Sequence, residues 1–99
     1  MNVISIRKLR EFWQQHADAE MPLRKWYKIT TAANWQNLTD MRRDFPHGDL
    51  AGVCTIFNIK GNSYRLITKV YYPETVLVRF VFTHAEYDDG GWHNDCNYN

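Results

Sequence analysis

Hydrophobic positions divide the chain into two halves with different periods. In the first half, Leu9, Phe12, Trp13, His16 and Ala17 recur every three or four residues, which predicts an amphipathic helix with His16 packed along its apolar stripe. Ser5 stands where an N-cap is expected. A second helix is predicted to begin near Pro22, a residue suited to a first turn, with Leu23, Trp26, Tyr27 and Thr30 as its stripe. The short spacer between the two predicts an antiparallel pair. Ahead of them, residues 2–6 read as a short edge strand. Residues 31–52 carry a weaker pattern, with Thr39 as a candidate cap for a short turn and Phe45-Pro46-His47-Gly48 as its end.

In the second half the period falls to two. Residues 53–59, 63–70 and 75–82 are rich in β-branched and aromatic side chains and predict three strands. Lys60-Gly61-Asn62 and Pro73-Glu74 are the turns between them, with Gly61 placed where a positive φ is needed. Short turns make the three an antiparallel meander. The predicted class is α+β: a twisted antiparallel sheet with two N-terminal helices packed on one face, in the order βααβββ, followed by a short C-terminal helix or tail. Residues 1–99 form one domain, with about 89–99 a candidate flexible tail. Alternation puts Tyr64, Leu66, Thr68 and Val70 on one face of the second strand and Arg65, Ile67, Lys69 and Tyr71 on the other. The simplest packing turns Leu66, Val70, Val78, Phe80 and Phe82 towards the helices. Arg65, Lys69 and Arg79 then share an open face, and a register error of one residue reverses any strand.

Composition narrows the class. Aromatic residues make up 15% of the 99 residues, a content that fits a packed core rather than a disordered chain. No apolar run approaches the roughly 20 residues of a membrane helix, and no signal peptide is evident, so a cytoplasmic protein is expected. Cys54 and Cys96 lie far apart and do not form a disulfide framework by spacing; Cys54 reads as a small core residue. The net charge of +1 hides an asymmetry: residues 1–85 hold all 12 Lys and Arg against 7 acids, and the last fourteen hold the other four acids. A basic body with an acidic tail suits a polyanionic partner, although small proteins often carry such a bias without one.

The cationic face has chemistry available to it. Arg65, Arg79, Lys69 and Lys60 can hold phosphates, and Tyr71, Tyr64 and Trp35 can stack on unpaired bases. Solvated charges that discourage edge pairing are the plainer reading of the same residues. His84 follows the third strand, with Glu86, Tyr87 and Asp88 behind it. Cleaving RNA without a metal needs a base for the 2′-OH, an acid for the 5′ oxygen and cations for the phosphate. His84, Tyr87 and the Arg/Lys face supply those three needs. A histidine alone after a strand is more often a structural hydrogen bonder. The ligand-rich stretch from His84 to Cys96 has no compact metal spacing, so neither metal nor other cofactor is expected.

Two segments carry a family resemblance. Residues 56–67, Ile-Phe-Asn-Ile-Lys-Gly-Asn-Ser-Tyr-Arg-Leu-Ile, resemble the central hairpin of HigB-type toxins of the RelE superfamily. Residues 78–88, Val-Arg-Phe-Val-Phe-Thr-His-Ala-Glu-Tyr-Asp, resemble their last strand and catalytic segment, and residues 35–46 their linking region. The resemblance spans nearly the whole chain. It implies the toxin of a type II toxin-antitoxin system, an endoribonuclease that cuts messenger RNA, usually on the ribosome, without a metal. It also implies a helix-turn-helix antitoxin as partner. By the same carry-over Arg65 and Arg79 hold transition-state charge, and His84 and Tyr87 move protons. Lys60, Lys69, Asn62 and Tyr71 contact RNA. Better-known RelE toxins are richer in Lys and Arg in the hairpin and after the last strand, where this chain has His84. A non-catalytic module that binds RNA or the ribosome is the alternative.

Overall fold

A computed structural model describes residues 1–98. Strand β1 (Asn2–Ile4) leads into α1 (Arg7–Gln15), a 3-10 turn at Ala17–Ala19 and α2 (Glu20–Ala32). Next come α3 (Leu38–Asp44), β2 (Asp49–Ala51), β3 (Cys54–Ile59), β4 (Tyr64–Tyr71) and β5 (Thr75–Thr83). Helices α4 (His84–Asp89) and α5 (His93–Cys96) close the chain. The sheet runs β1-β5-β4-β3-β2. The predicted meander β3-β4-β5 is antiparallel throughout, while β1 pairs parallel to β5 and makes the sheet mixed.

Leu23, Trp26 and Thr30 form the buried stripe of α2, as their spacing requires. With Leu9 of α1 they pack on Phe57, Leu66, Val76 and Val78 from one face of the sheet. The expected caps differ. Ser5 adopts φ 70° and its carbonyl, not its hydroxyl, accepts the Lys8 N–H. Asn37 rather than Thr39 caps α3, its side chain accepting from the Asp40 N–H at 3.0 Å. Lys60 and Gly61 both take positive φ in the β3–β4 turn, which is where the glycine was needed.

The far face of the sheet is where sequence and structure part. Ile67 pairs with Phe80 and Thr68 with Val78, so Arg79 is an extra residue on β5, a β-bulge. Beyond the bulge the alternation inverts. Val81 faces the helices, whereas Phe80 and Phe82 turn to the opposite side, contrary to the simple alternation. There they join Ile56 and Ile67 in a second core closed by Trp92 and by a Cys54–Cys96 disulfide, which spacing alone did not pair. The C-terminal segment lies against this face. Trp92 is 2% exposed and its indole N–H donates to the Tyr87 carbonyl at 2.9 Å. The Val53 N–H donates to the Cys96 carbonyl at 2.7 Å. Gly52 sits so close beneath that a Cβ there would come within 1.9 Å of the Cys96 oxygen. Both faces of the sheet are therefore covered, and the cations expected on an open face lie partly under α5.

Candidate functional site

Arg65 projects from β4 on the far face. Its Nη1 donates to the carbonyls of Asn62 at 3.0 Å and Tyr64 at 3.3 Å, and its guanidinium lies 5.4 Å from the centre of the Tyr87 ring. Tyr87 is held by the local logic of α4. Thr83 and Glu86 form a capping box, the Thr-x-x-Glu pattern that starts a helix, and Gly90 ends it at φ 79°. The Tyr87 ring stacks on Trp92, with 5.0 Å between centroids. His47, Asp49, Asn58, Arg65, Tyr87 and Tyr98 line a polar cleft of about 260 Å³ at this point.

The electrostatics of the cleft are uneven. Burial pushes the Tyr87 phenol above its ordinary pKa; the Arg65 cation draws it back, and Tyr98, Asp49 and Asp88 add to the rise. The phenol is therefore protonated at neutral pH. Arg65 has no carboxylate partner among the described residues. The other nominated cations do. Lys60 donates to Asp18 at 2.7 Å, on the helix side of the hairpin. Arg79 makes a two-pronged bond to Asp95, both arms at 2.8 Å, and Lys69 lies 3.8 Å from the same carboxylate.

The eight residues nominated from sequence thus fall into separate groups. Arg65 and Tyr87 meet in the cleft, and the backbone of Asn62 supports Arg65. His84 stands three residues before Tyr87 on α4, a neighbouring position on the helix surface, but it is not in the cleft wall. Its Nδ1 is 2.9 Å from Oδ2 of Asp88, and its side chain is about half exposed. Lys69 and Arg79 sit with Asp95, Lys60 with Asp18, and Tyr71 is exposed at the end of β4. Two proposed stacking residues are committed elsewhere. Trp35 is buried and donates to Asp44, and the Tyr64 hydroxyl donates to Asp18.

His47, Asp49, Asn58 and Tyr98 also line the cleft, and none of them is a candidate by sequence pattern. Nothing in their linear spacing ties them to Arg65. Pairing of β2 with β3 (Asp49 opposite Ile56) delivers His47 and Asp49 to the cleft, and the disulfide delivers Tyr98. Cys54, Asp95 and Cys96 lie within 4.8 Å of one another, the reach of a metal site. Both sulfurs are spent on the disulfide and the carboxylate on Arg79, so this set does not fit a metal.

The Arg79 guanidinium beside it holds the Asp95 carboxyl below its ordinary pKa, and Lys69 and Lys8 act in the same direction. A depressed folded-state pKa contributes stability that is present above the unfolded value, about 4, and is lost as pH falls below it. Asp95→Asn is therefore expected to cost about 1.5–3 kcal/mol near neutrality and to flatten the acid limb of a urea-denaturation series. An unchanged acid limb would remove Asp95 from this role.

No curated protein matches the sequence. The family model described as "HigB_toxin, RelE-like toxic component of a toxin-antitoxin system" matches residues 19–90, from the 3-10 turn before α2 through α4. With the α+β fold and both resembling segments inside that span, the chain belongs to the HigB toxin family and is the RelE-like toxic component of a toxin-antitoxin system.

Proposed function

We propose that this toxin is a metal-independent endoribonuclease that cuts messenger RNA in the Arg65–Tyr87 cleft and so arrests translation. The observation that carries the reading is Arg65: a forked cation with no acidic partner among the described residues, lining a polar cleft opposite a protonated phenol. Such a group is poised for a phosphate oxygen. In the proposed reaction the 2′ oxygen attacks the adjacent phosphorus as Nε2 of His84 takes its proton. Arg65 stabilises the charge that builds on the phosphoryl oxygens. The bond to the 5′ oxygen breaks, and the Tyr87 phenol protonates that oxygen. The products are a 2′,3′-cyclic phosphate and a 5′-hydroxyl. His84 stands outside the cleft wall, so this role requires its ring to approach the bound phosphate, whereas His47 lies on the wall itself.

Three further parts belong to this proposal. With Lys60, Lys69 and Arg79 engaged internally, Arg65 is the one nominated cation without an acidic partner among the described residues, so the cleft by itself is expected to hold free RNA weakly. The ribosome is then the agent that presents the message. The antitoxin is a helix-turn-helix protein, and the setting is the cytoplasm; among the described residues no helix is long and apolar enough to cross a membrane. Placement of His84 outside the cleft wall is the one observation that favours a non-catalytic binding module. Mapping transcript 5′ ends after induction separates the two. The enzyme reading expects new 5′-hydroxyl ends within coding sequences; translational arrest with intact messages would overturn it.

A further inference from the structure

On the other side of β3 from the cleft, α2 and the end of β3 enclose a groove of about 740 Å³. Its apolar surface comes from Met21, Pro22, Trp26, Ile29, Phe45 and Ile59. Met21, Lys25 and Ile29 repeat every four residues along α2 and form a stripe distinct from the buried Leu23–Trp26–Thr30 stripe. Met21 is 74% exposed, which gives it no part in the core. Cations ring the groove. Arg24 is paired with Glu20 and Lys60 with Asp18, whereas Lys25 and Lys28 have no acidic partner among the described residues.

We infer that this groove is the docking surface for the antitoxin, through an amphipathic helix that sets apolar side chains on Met21 and Ile29 and acidic ones against Lys25 and Lys28. Membership of a toxin-antitoxin family supplies the partner; the groove supplies its chemistry. From Met21 to Ile29 the stripe runs about 12 Å, the length of two turns of a bound helix. A mainly aliphatic floor suits a protein helix better than nucleic acid, which asks for exposed aromatic faces. Complementary charge on the rim adds partner choice and association rate to the apolar contact. The groove and the cleft share only Asn58 at the edge of β3, so docking and RNA chemistry can be disturbed separately.

The test is titration calorimetry of the purified toxin against the antitoxin encoded by its neighbouring reading frame. Met21→Glu and the double variant Lys25→Glu with Lys28→Glu are each expected to weaken binding roughly tenfold or more. Their melting temperatures and toxicity without antitoxin should stay unchanged, because these side chains serve neither core nor cleft. Matching Glu→Lys changes in the antitoxin should restore binding to the double variant. Unchanged antitoxin affinity in both variants overturns the inference. So does a loss of RNA affinity with antitoxin binding intact, or the loss of a self-associated form of the toxin. The inference rests on the family's partner, not on RNA chemistry: a toxin that cuts no RNA yet binds antitoxin through these residues supports it.

Discussion

Replacing Arg65 with alanine is expected to slow RNA cleavage by roughly 100- to 1000-fold, the usual loss when one preorganised charge-stabilising group leaves a transition state. The protein should stay folded, because Arg65 bonds only to carbonyls of its own turn and strand and its removal strands no buried carboxylate. Arg79→Ala should behave in the opposite way. That guanidinium is already engaged by Asp95, so its loss leaves the α5 carboxylate with only the longer Lys69 contact and acts mainly on stability. Arg65→Lys should recover only part of the rate, since a point charge cannot span two phosphoryl oxygens. Single-turnover cleavage beside urea denaturation checks both halves. A fully active, folded Arg65→Ala protein would move the site away from the cleft.

Cys54→Ser, paired with Cys96→Ser to leave no free thiol, is expected to be the most destabilising change that leaves Arg65 and Tyr87 unaltered. The disulfide spans 42 residues of sequence. Closing a loop of that size restricts the unfolded chain by about 4 kcal/mol in the chain-entropy account, with 2–4 typical in practice. For a domain of this size that corresponds to a fall of roughly 10–30 °C in melting temperature. Wild-type protein in excess dithiol should melt near the variant. If it melts at its oxidised temperature, the bond is not what holds α5. The proposed cytoplasmic setting sharpens the matter, because that compartment keeps thiols reduced. There, Trp92 packing and the Asp95–Arg79 pair hold the C-terminal segment against the sheet without the covalent link.

Much of the helix-side architecture is legible in local pattern. The α2 stripe and the β3–β4 turn with its glycine each depend on neighbours a few residues apart. Arg65 and Tyr87 were nominated from two segments and the fold brings them together. The far face was less legible because single events there reverse long consequences. One bulge at Arg79 moves Phe80 and Phe82 to the other side of the sheet. Strand β2 has three residues, too few to show a period, yet it carries His47 and Asp49 to the cleft. The carboxylates that occupy Lys60, Lys69 and Arg79 come from Asp18 and Asp95, partners that no sequence spacing reveals. Charge pattern therefore offers four cations, and the fold leaves one of them, Arg65, without an acidic partner among the described residues.

Family membership establishes a toxin and an antitoxin partner; the cleft is the proposed source of the toxicity. The most direct measurement incubates purified toxin with a defined message on programmed ribosomes and reads the chemistry of the new ends. Cleavage that leaves 2′,3′-cyclic phosphate and 5′-hydroxyl ends, lost in Arg65→Ala and in Tyr87→Phe, is the result expected here. Ends bearing a 5′-phosphate, or cleavage retained by both variants, would contradict the account.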